Sequence, residues 1–225
     1  MLGLGNNLSK VGISTPGIVT DSLVLKHNYA AGSVVPVSDG AAYLDGTDVY
    51  IDLGSKANSG STLTVSAWVY ITDTGIHPIL RFGDSLLQMS NNTNISMYPD
   101  GGDGRVNTTI SSVKDQWAHI CATVDGTTAS TYLNGVHQLT TTSLASAMST
   151  DSTASYIGRS SSNYLKGYMC NVGMWSVVLT QAQIKSIMWK NYANLTSSET
   201  TNLVSWWNLS TNANDSTGTN NGTLT

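Results

Sequence analysis

The sequence predicts an all-β fold, an antiparallel sandwich, and two observations support this prediction. Residues 117–139 contain three short strand-like stretches separated by Asp125-Gly126 and Asn134-Gly135. Both dipeptides tolerate the positive φ angles of a type I′ turn, whose twist suits a β-hairpin. In the first stretch every second residue from Ile120 to Val124 is apolar, and this period of two indicates a strand. Similar stretches, separated by turn signals, follow one another along most of the chain.

The remaining strands are predicted in order from the same alternation. They are residues 41–44, 49–53, 63–71, 79–82, 85–89, 95–98, 105–110, 117–124, 130–133, 154–157 and 167–175. Turn residues such as Asp73-Thr74-Gly75 and Asp100-Gly101-Gly102 lie between them. Many short strands at nearly regular spacing are typical of a sandwich or jelly roll.

One segment is predicted to be helical. Thr180 and Gln183 have the spacing of a capping box, and apolar residues follow at helical intervals, so we expect a helix over residues 180–192 that packs on the sandwich. A strand rich in aromatic residues at 203–209 then closes a single domain spanning residues 36–225. Residues 1–35 are irregular and are interpreted either as an arm that attaches the domain to a neighbour or as a simple surface extension.

Composition excludes some classes of partner. Only 11% of the 225 residues are charged, the net charge is −4, and Ser, Thr and Asn make up about a third of the chain. Such a surface does not suit nucleic acid, which requires a positive stripe. It suits neutral sugars or close packing between subunits, or it simply keeps a stable β-protein soluble. No run approaches the roughly 18 apolar residues of a membrane span, and no export signal is visible, so we expect no membrane partner.

The two cysteines, Cys121 and Cys170, both lie in predicted strands beside apolar residues. This favours free buried thiols that behave as small apolar groups, with a cross-sheet disulfide as the alternative. Two cysteines without clustered histidines do not make a zinc site.

Several short sequence segments resemble those of the concanavalin A-like, laminin-G-like jelly rolls. They lie at residues 43–53, 63–69, 117–119, 124–126, 132–135, 156–159, 167–168, 174–175 and 179–184. The resemblance covers about residues 41–190 and implies that fold. In many relatives the aromatic strand and its Asp-Ser-x-Gly-Asn segment come first, whereas here they come last, so the termini look permuted. The fold alone does not imply a function, because lectins, glycosidases, adhesion modules and spacers share it.

We expect no enzymatic activity. Glycosidases act through a pair of carboxylates, and the resemblance implies two glutamates on one strand. This chain has a single glutamate, Glu199, which is expected in a polar loop, and Asp48 and Asp52 are its nearest approach to a pair. No nucleophile elbow accompanies the histidines. His119 is expected to be packed beside a tryptophan, and a metal pair of His77 and His137 stays open.

No cofactor is expected, with a structural Ca²⁺ as the alternative. The resemblance implies calcium held by loop oxygens, and Asp215, Asn220 and Asn221 form an oxygen-rich loop. For a ligand, the best candidate is Tyr164, an aromatic residue in a polar loop whose ring could stack on a sugar. The resemblance assigns other aromatics, Trp68, Trp117 and Trp175, to the core, and packing under the helix is the preferred interpretation of Trp206.

The leading functional hypothesis is a non-enzymatic virion protein, either a capsid decoration or a fibre or knob module. The opening Met-Leu-Gly-Leu-Gly and residues 196–209 resemble short structural proteins of tailed bacteriophages, especially marine ones. Such a protein would be made in the host cytoplasm and would reside in the virion. There it would form a homo-oligomer, pack on other capsid or tail proteins, and contact host glycans. The alternative is a stand-alone carbohydrate-binding lectin, with or without calcium, and the third hypothesis is a diverged glycoside hydrolase or lyase.

Overall fold

A computed structural model describes residues 37–102 and 104–225 and confirms an antiparallel β-sandwich. The strands are β1 Ala42–Asp45, β2 Ile51–Lys56, β3 Thr62–Ile71, β4 Ile76–Phe82, β5 Ser85–Ser90, β6 Asn94–Tyr98, β7 Val106–Thr109, β8 Trp117–Asp125, β9 Thr128–Leu133, β10 Val136–Thr141, β11 Thr153–Ile157, β12 Arg159–Ser160, β13 Asn163–Tyr164, β14 Lys166–Trp175, β15 Leu203–Trp207 and β16 Thr223–Leu224. The predicted N-terminal arm, residues 1–35, lies outside the described residues.

Two sheets make the sandwich. Sheet A has the order β1-β14-β3-β8-β9-β10, with β15 also paired to β14, and sheet B has the order β16-β2-β11-β4-β5-β6-β7. The predicted meander is confirmed as β8-β9-β10, and Asn134 and Gly135 have φ angles of 50° and 72° at its second turn. The short hairpin β12-β13 forms a separate two-stranded sheet.

The core fills the space between the sheets with alternate residues of each strand. In β3 the inward residues Val65, Ala67 and Val69 are almost fully buried, and Leu87 and Met89 of β5 belong to the same cluster from sheet B. Because each strand contributes every second side chain, the residues between them reach the outer faces. The outer faces therefore hold the side chains that are available for a ligand.

Part of the outer face of sheet A is covered by helix α1, Gln181–Ile187. The predicted capping box is present, but the helix ends well before residue 192. The reason is a tertiary contact, since the Met188 carbonyl at the helix end accepts a hydrogen bond from the Trp68 indole at 2.7 Å. Ile184 and Ile187 pack on Trp206 in the cluster beneath the helix, which confirms the prediction for that tryptophan.

A second helix was not predicted. It is α2, Ser197–Thr200, and it has its own capping box of Thr196 and Glu199. The prediction that Glu199 lies in a polar loop is therefore wrong: it belongs to this helix and is buried. Four residues are too few to show a helical apolar period, which is why the sequence pattern gave no sign of it.

The C-terminal strand takes the place that the sequence predicts, although it is two residues shorter. β15 pairs with Val172–Trp175 of β14, while β1 pairs with the other half of β14 at Lys166–Met169. Two short strands from opposite ends of the chain thus share one edge of the long strand β14.

Both cysteines are free and buried, which confirms the favoured prediction. Cys121 lies on β8 opposite Ser66 and Cys170 lies on β14 opposite Trp68, so the long strand β3 separates them. Burial raises the pKa of the Cys170 thiol to about 12 and also raises that of Cys121. Within the described part of the chain, no helix is long and apolar enough to cross a membrane.

Candidate functional site

Tyr164, the predicted ligand residue, lies on the two-residue strand β13 directly opposite Arg159 of β12. Gly158, with a φ angle of 80°, turns the chain from β11 into this hairpin, and Ser161 has a φ angle of 52° at its tip. The Gly158 amide donates to the Ile79 carbonyl at 3.1 Å and its carbonyl accepts from the Leu165 amide at 2.8 Å. The hairpin is therefore fixed to sheet B and presents both side chains in a defined place.

Three tyrosine rings surround the Arg159 guanidinium. Its central carbon lies 4.5 Å from the ring centroid of Tyr50, 4.7 Å from that of Tyr156 and 5.5 Å from that of Tyr164. These distances lie within the roughly 6 Å at which a cation is attracted to a ring face. We call Tyr50, Tyr156, Arg159 and Tyr164 the tyrosine–arginine cluster. All four side chains are partly buried.

The other two tyrosines come from the neighbouring strands β2 and β11 of sheet B or directly before them. Ile157 belongs to the core, so the neighbouring Tyr156 lies on the outer face of β11, opposite Asp52. Tyr50 directly precedes β2 and exchanges two backbone hydrogen bonds with Thr225, at 3.3 and 2.9 Å. The Tyr50 and Tyr156 rings meet edge to face with centroids 5.4 Å apart. Sheet pairing and the C-terminal residue thus hold this part of the cluster.

The charge of Arg159 is not neutralised by any described residue. No carboxylate among residues 37–102 and 104–225 lies within 4.0 Å of its guanidinium, and its one hydrogen bond in that part of the chain goes from Nε to the Ser161 carbonyl at 3.4 Å. Asp52, the nearest acid by strand register, accepts instead from the Gly54 amide at 2.7 Å. The cluster is a partly buried cation enclosed by ring faces.

A second aromatic feature crosses sheet A. Tyr43, Tyr168, Tyr70 and Trp117 lie in register on the adjacent strands β1, β14, β3 and β8. Their ring centroids are 5.2, 6.1 and 5.8 Å apart in that order. We call these four residues the aromatic row. Tyr43 and Tyr168 are 53% and 41% exposed, so the row forms an aromatic surface beside the region covered by α1.

The aromatic residues assigned to the core divide into two kinds. Trp68 and Trp175 are fully buried, as the resemblance implies. Trp117 differs, because it is only partly buried and its ring is part of the aromatic row. In the described part of the chain Met188 packs in one cluster with Trp68, and Trp117 lies at the margin of that cluster.

In the loop predicted to bind calcium, the carboxylate oxygens of Asp215 already accept hydrogen bonds from the protein. Asp215 is buried, and each of its carboxylate oxygens accepts two hydrogen bonds. Oδ1 accepts from the Trp206 and Thr217 amides at 2.9 and 3.0 Å, and Oδ2 from the Thr217 hydroxyl and the Asn220 amide at 2.7 and 2.9 Å. The Asn221 side chain accepts from the Asp215 amide at 3.0 Å. The three predicted residues do lie together: the side-chain oxygens of Asp215 and Asn221 already have N–H and O–H donors, and the Asn220 carbonyl accepts from the Trp207 indole at 2.9 Å.

The acidic residues considered for catalysis are not arranged as a pair. Glu199 is buried against Lys190, whose ammonium lies 2.7 Å from both carboxylate oxygens. Asp48 lies exposed in the turn after β1, whereas Asp52 lies on β2. Within the described residues no group of three or more His, Cys, Asp or Glu side chains could hold a metal ion.

The three histidines named here, His77, His119 and His137, lie apart from one another on different strands. His119 is buried with its ring 5.5 Å from that of Trp68, and burial lowers its pKa to about 3, which confirms the packed histidine that we predicted. His77 lies on β4 of sheet B, 3.5 Å from Asp73, while His137 lies on β10 of sheet A and contacts Thr140. The suggested His77–His137 pair is thus divided between the two sheets.

Sequence reasoning found one member of the tyrosine–arginine cluster and missed the other three. Arg159 had no strong signal, because Ser161-Ser162 is not one of the dipeptides that mark a two-residue hairpin turn, although the structure pairs residues 159 and 164 across that turn. Tyr156 follows from strand alternation once Ile157 is assigned to the core. Tyr50 had no local signal, since the pairing of β2 with β11 and β16 brings it to the cluster.

These features define a two-sheet jelly roll of the concanavalin A type with aromatic surfaces outside its core. The family model for the concanavalin A-like lectin/glucanases superfamily matches residues 45–185, which is more than half of the chain. The chain therefore belongs to this superfamily. No curated protein sequence matches the chain.

Solved structures share the fold at low sequence identity. One is a candidate carbohydrate binding protein from Bacteroides ovatus, with a TM-score of 0.63 and 19% identity over 84% of this chain and 58% of that protein. The chain thus spans little more than half of that relative. A heptameric SAP-like pentraxin from Limulus polyphemus has a TM-score of 0.57 and 14% sequence identity, and the match covers 69% of this chain and 84% of the pentraxin. A third structure is the CBM40 domain of a Ruminococcus gnavus sialidase bound to sialyllactose. Its TM-score is 0.55 and its sequence identity 12%, and the match covers 70% of this chain and all of that domain.

Proposed function

We propose that this protein is a non-enzymatic carbohydrate-binding protein and that its ligand site is the tyrosine–arginine cluster. The observation that supports this most directly is the set of three tyrosine rings gathered around a partly buried guanidinium. Tyrosine rings offer apolar faces that stack on the C–H face of a sugar, and their hydroxyls bind sugar hydroxyls. Two of the similar structures are described by carbohydrate binding, which agrees with the proposal.

The acidic residues favour binding over catalysis. The single glutamate is held by Lys190 and by the Thr196 amide, which lowers its pKa to about 2, so it does not serve as a proton donor near neutral pH. Asp45 also caps a turn, accepting from the Thr47, Asp48 and Val49 amides. The third hypothesis, a hydrolase or lyase, would need a carboxylate pair that these residues do not form.

A glycan array followed by titration of the best ligand tests the proposal. Tyr164→Ala and Tyr156→Ala should each weaken binding about thirtyfold, because truncating a central aromatic anchor costs about 2 kcal/mol. Tyr98→Ala is the matched control, since this partly buried tyrosine also lies near an arginine, with Arg105 5.3 Å from its ring, but outside the cluster. Absence of any glycan binding by the folded protein, or equal losses in all three variants, would refute the proposal.

A second candidate function is the virion structural role, and the aromatic row is the observation that favours it. Exposed aromatic side chains are enriched at protein interfaces and are uncommon as contiguous patches on monomers. A capsid decoration or fibre module would use this face to pack on a second copy or on another virion protein. Mass spectrometry of purified virions should then detect the chain, and Tyr168→Ser with Tyr43→Ser should reduce its incorporation. Its absence from every candidate virion would eliminate this role and the localisation that goes with it.

A further inference from the structure

Arg159 differs from an ordinary surface arginine in its surroundings. Arg105, for comparison, is exposed and lies 5.3 Å from a single ring, that of Tyr98. Arg159 is partly buried among three rings, so less water reaches its guanidinium. A cation that has lost part of its hydration gains more from an anion than an exposed cation does.

The Nη atoms of Arg159 have no hydrogen-bond partner in the described part of the chain. Only Nε donates there, to the Ser161 carbonyl. The rings of Tyr50 and Tyr156 meet edge to face, so at most one of the two can lie parallel to the guanidinium plane. A guanidinium whose Nη atoms lack an acceptor can donate two parallel hydrogen bonds to one carboxylate.

Neighbouring charges do not complete the site. Arg81, opposite Tyr156 on β4, lies 3.5 Å from Asp84 and is thereby compensated. Asp52, opposite the same tyrosine on β2, already accepts from the Gly54 amide and lies beyond ion-pair distance of Arg159. No acid in the described part of the chain therefore supplies an anion to Arg159, and the net charge of −4 creates no general field that would draw anions to the protein.

From this geometry we propose that the tyrosine–arginine cluster selects acidic glycans, with the Arg159 guanidinium binding the carboxylate of a sugar acid while the tyrosine rings stack on its ring. The inference rests on the proposed carbohydrate-binding function and adds the charge of the ligand to it. A planar carboxylate can accept two parallel hydrogen bonds from one guanidinium group.

The test compares one oligosaccharide in three forms by calorimetric titration of the full chain. The forms are a uronic acid oligosaccharide, the same oligosaccharide with its carboxyl groups reduced to alcohols, and a sulfated neutral analogue. A hydrogen-bonded charge pair is worth about 1.5–3 kcal/mol, so the carboxylated form should bind about ten- to a hundredfold more tightly than the reduced form. This comparison needs no variant and is independent of any folding defect.

Three variants then assign the effect to one side chain. Arg159→Gln should abolish the preference, so that this variant binds the carboxylated and the reduced forms with the same affinity. Arg159→Lys keeps the charge but loses the fork, and should retain only part of the preference. Arg105→Gln, the matched control, should retain all of it.

The outcomes separate this inference from the proposed function. Equal binding of the carboxylated and reduced forms would overturn the inference and leave carbohydrate binding intact. Binding of neither form, nor of any arrayed glycan, would overturn both. A sulfated form that binds as tightly as the carboxylated one, with full binding by Arg159→Lys, would show a general anion site and overturn the assignment to carboxylates.

Discussion

The Lys190 ammonium lies 2.7 Å from both carboxylate oxygens of Glu199, and this ion pair joins the segment after α1 to α2. The Ser186 hydroxyl and the Thr196 amide donate to the same carboxylate, each at 2.7 Å. The Glu199 carbonyl in turn accepts a hydrogen bond from the Trp175 indole of β14 at 2.7 Å. One acidic residue therefore ties both helices to sheet A.

Replacing Lys190 should destabilise the protein more than its partial exposure suggests. Lys190→Met leaves the buried Glu199 carboxylate without its cation, and removing one partner of a buried pair costs about 3 kcal/mol or more. Denaturant unfolding at neutral pH measures the loss. Lys185→Met is the control, because Lys185 lies exposed on α1 and makes no ion pair with a described acid. Equal losses in both variants would contradict a stabilising role for the pair.

The lowered pKa of the Glu199 carboxyl predicts how the folding stability depends on pH in the acidic range. Burial raises the pKa of Glu199, but the Lys190 ammonium, the Thr196 amide and the Ser186 hydroxyl lower it by more, so it falls from 4.5 to about 2. Because the folded pKa lies below the unfolded one, the stabilisation is complete above pH 4.5 and is lost as the pH falls through about 2.

Over this range the loss should reach about 3 kcal/mol, and Glu199→Gln should remove that part of the pH dependence. Unfolding free energies measured at several acidic pH values give the comparison. A wild-type protein and a Glu199→Gln variant with the same acid slope would show that the carboxylate is not held as the structure indicates.

His119 makes the folding stability depend on pH in a different range. Burial lowers its pKa from 6.5 to about 3, so the unfolded chain takes up a proton at this residue before the folded one does. Stability should therefore decrease as the pH falls below 6.5, by about 1.4 kcal/mol per pH unit, or about 2 kcal/mol near pH 5. His119→Gln should lose this slope. Burial also lowers the pKa of His77, so His77→Gln should remove a separate part of the slope.

Local signals predict the fold well and the site only in part. The β8–β10 meander follows from dipeptides and alternation within one short stretch, because hairpin turns and strand faces are set locally. The end of α1 was misplaced because a hydrogen bond from distant Trp68 fixes the Met188 carbonyl there. Tyr50 was missed for a similar reason, since Thr225 at the far end of the chain holds its backbone.

Asp215 gives the prediction that separates a calcium site from a hydrogen-bonded turn. All four hydrogen bonds to its carboxylate come from described N–H and O–H groups, which together lower its pKa although burial raises it. We therefore expect neither EDTA nor added calcium to change the melting temperature. Asp215→Asn should lower stability by about 1–3 kcal/mol, because an amide nitrogen would face donors that need an acceptor. Asp100→Asn, where the carboxylate accepts from the Gly102 amide in a partly exposed turn, should cost less. If calcium instead raises the melting temperature of the wild type and not that of Asp215→Asn, the loop binds calcium and Asp215 is one of its ligands.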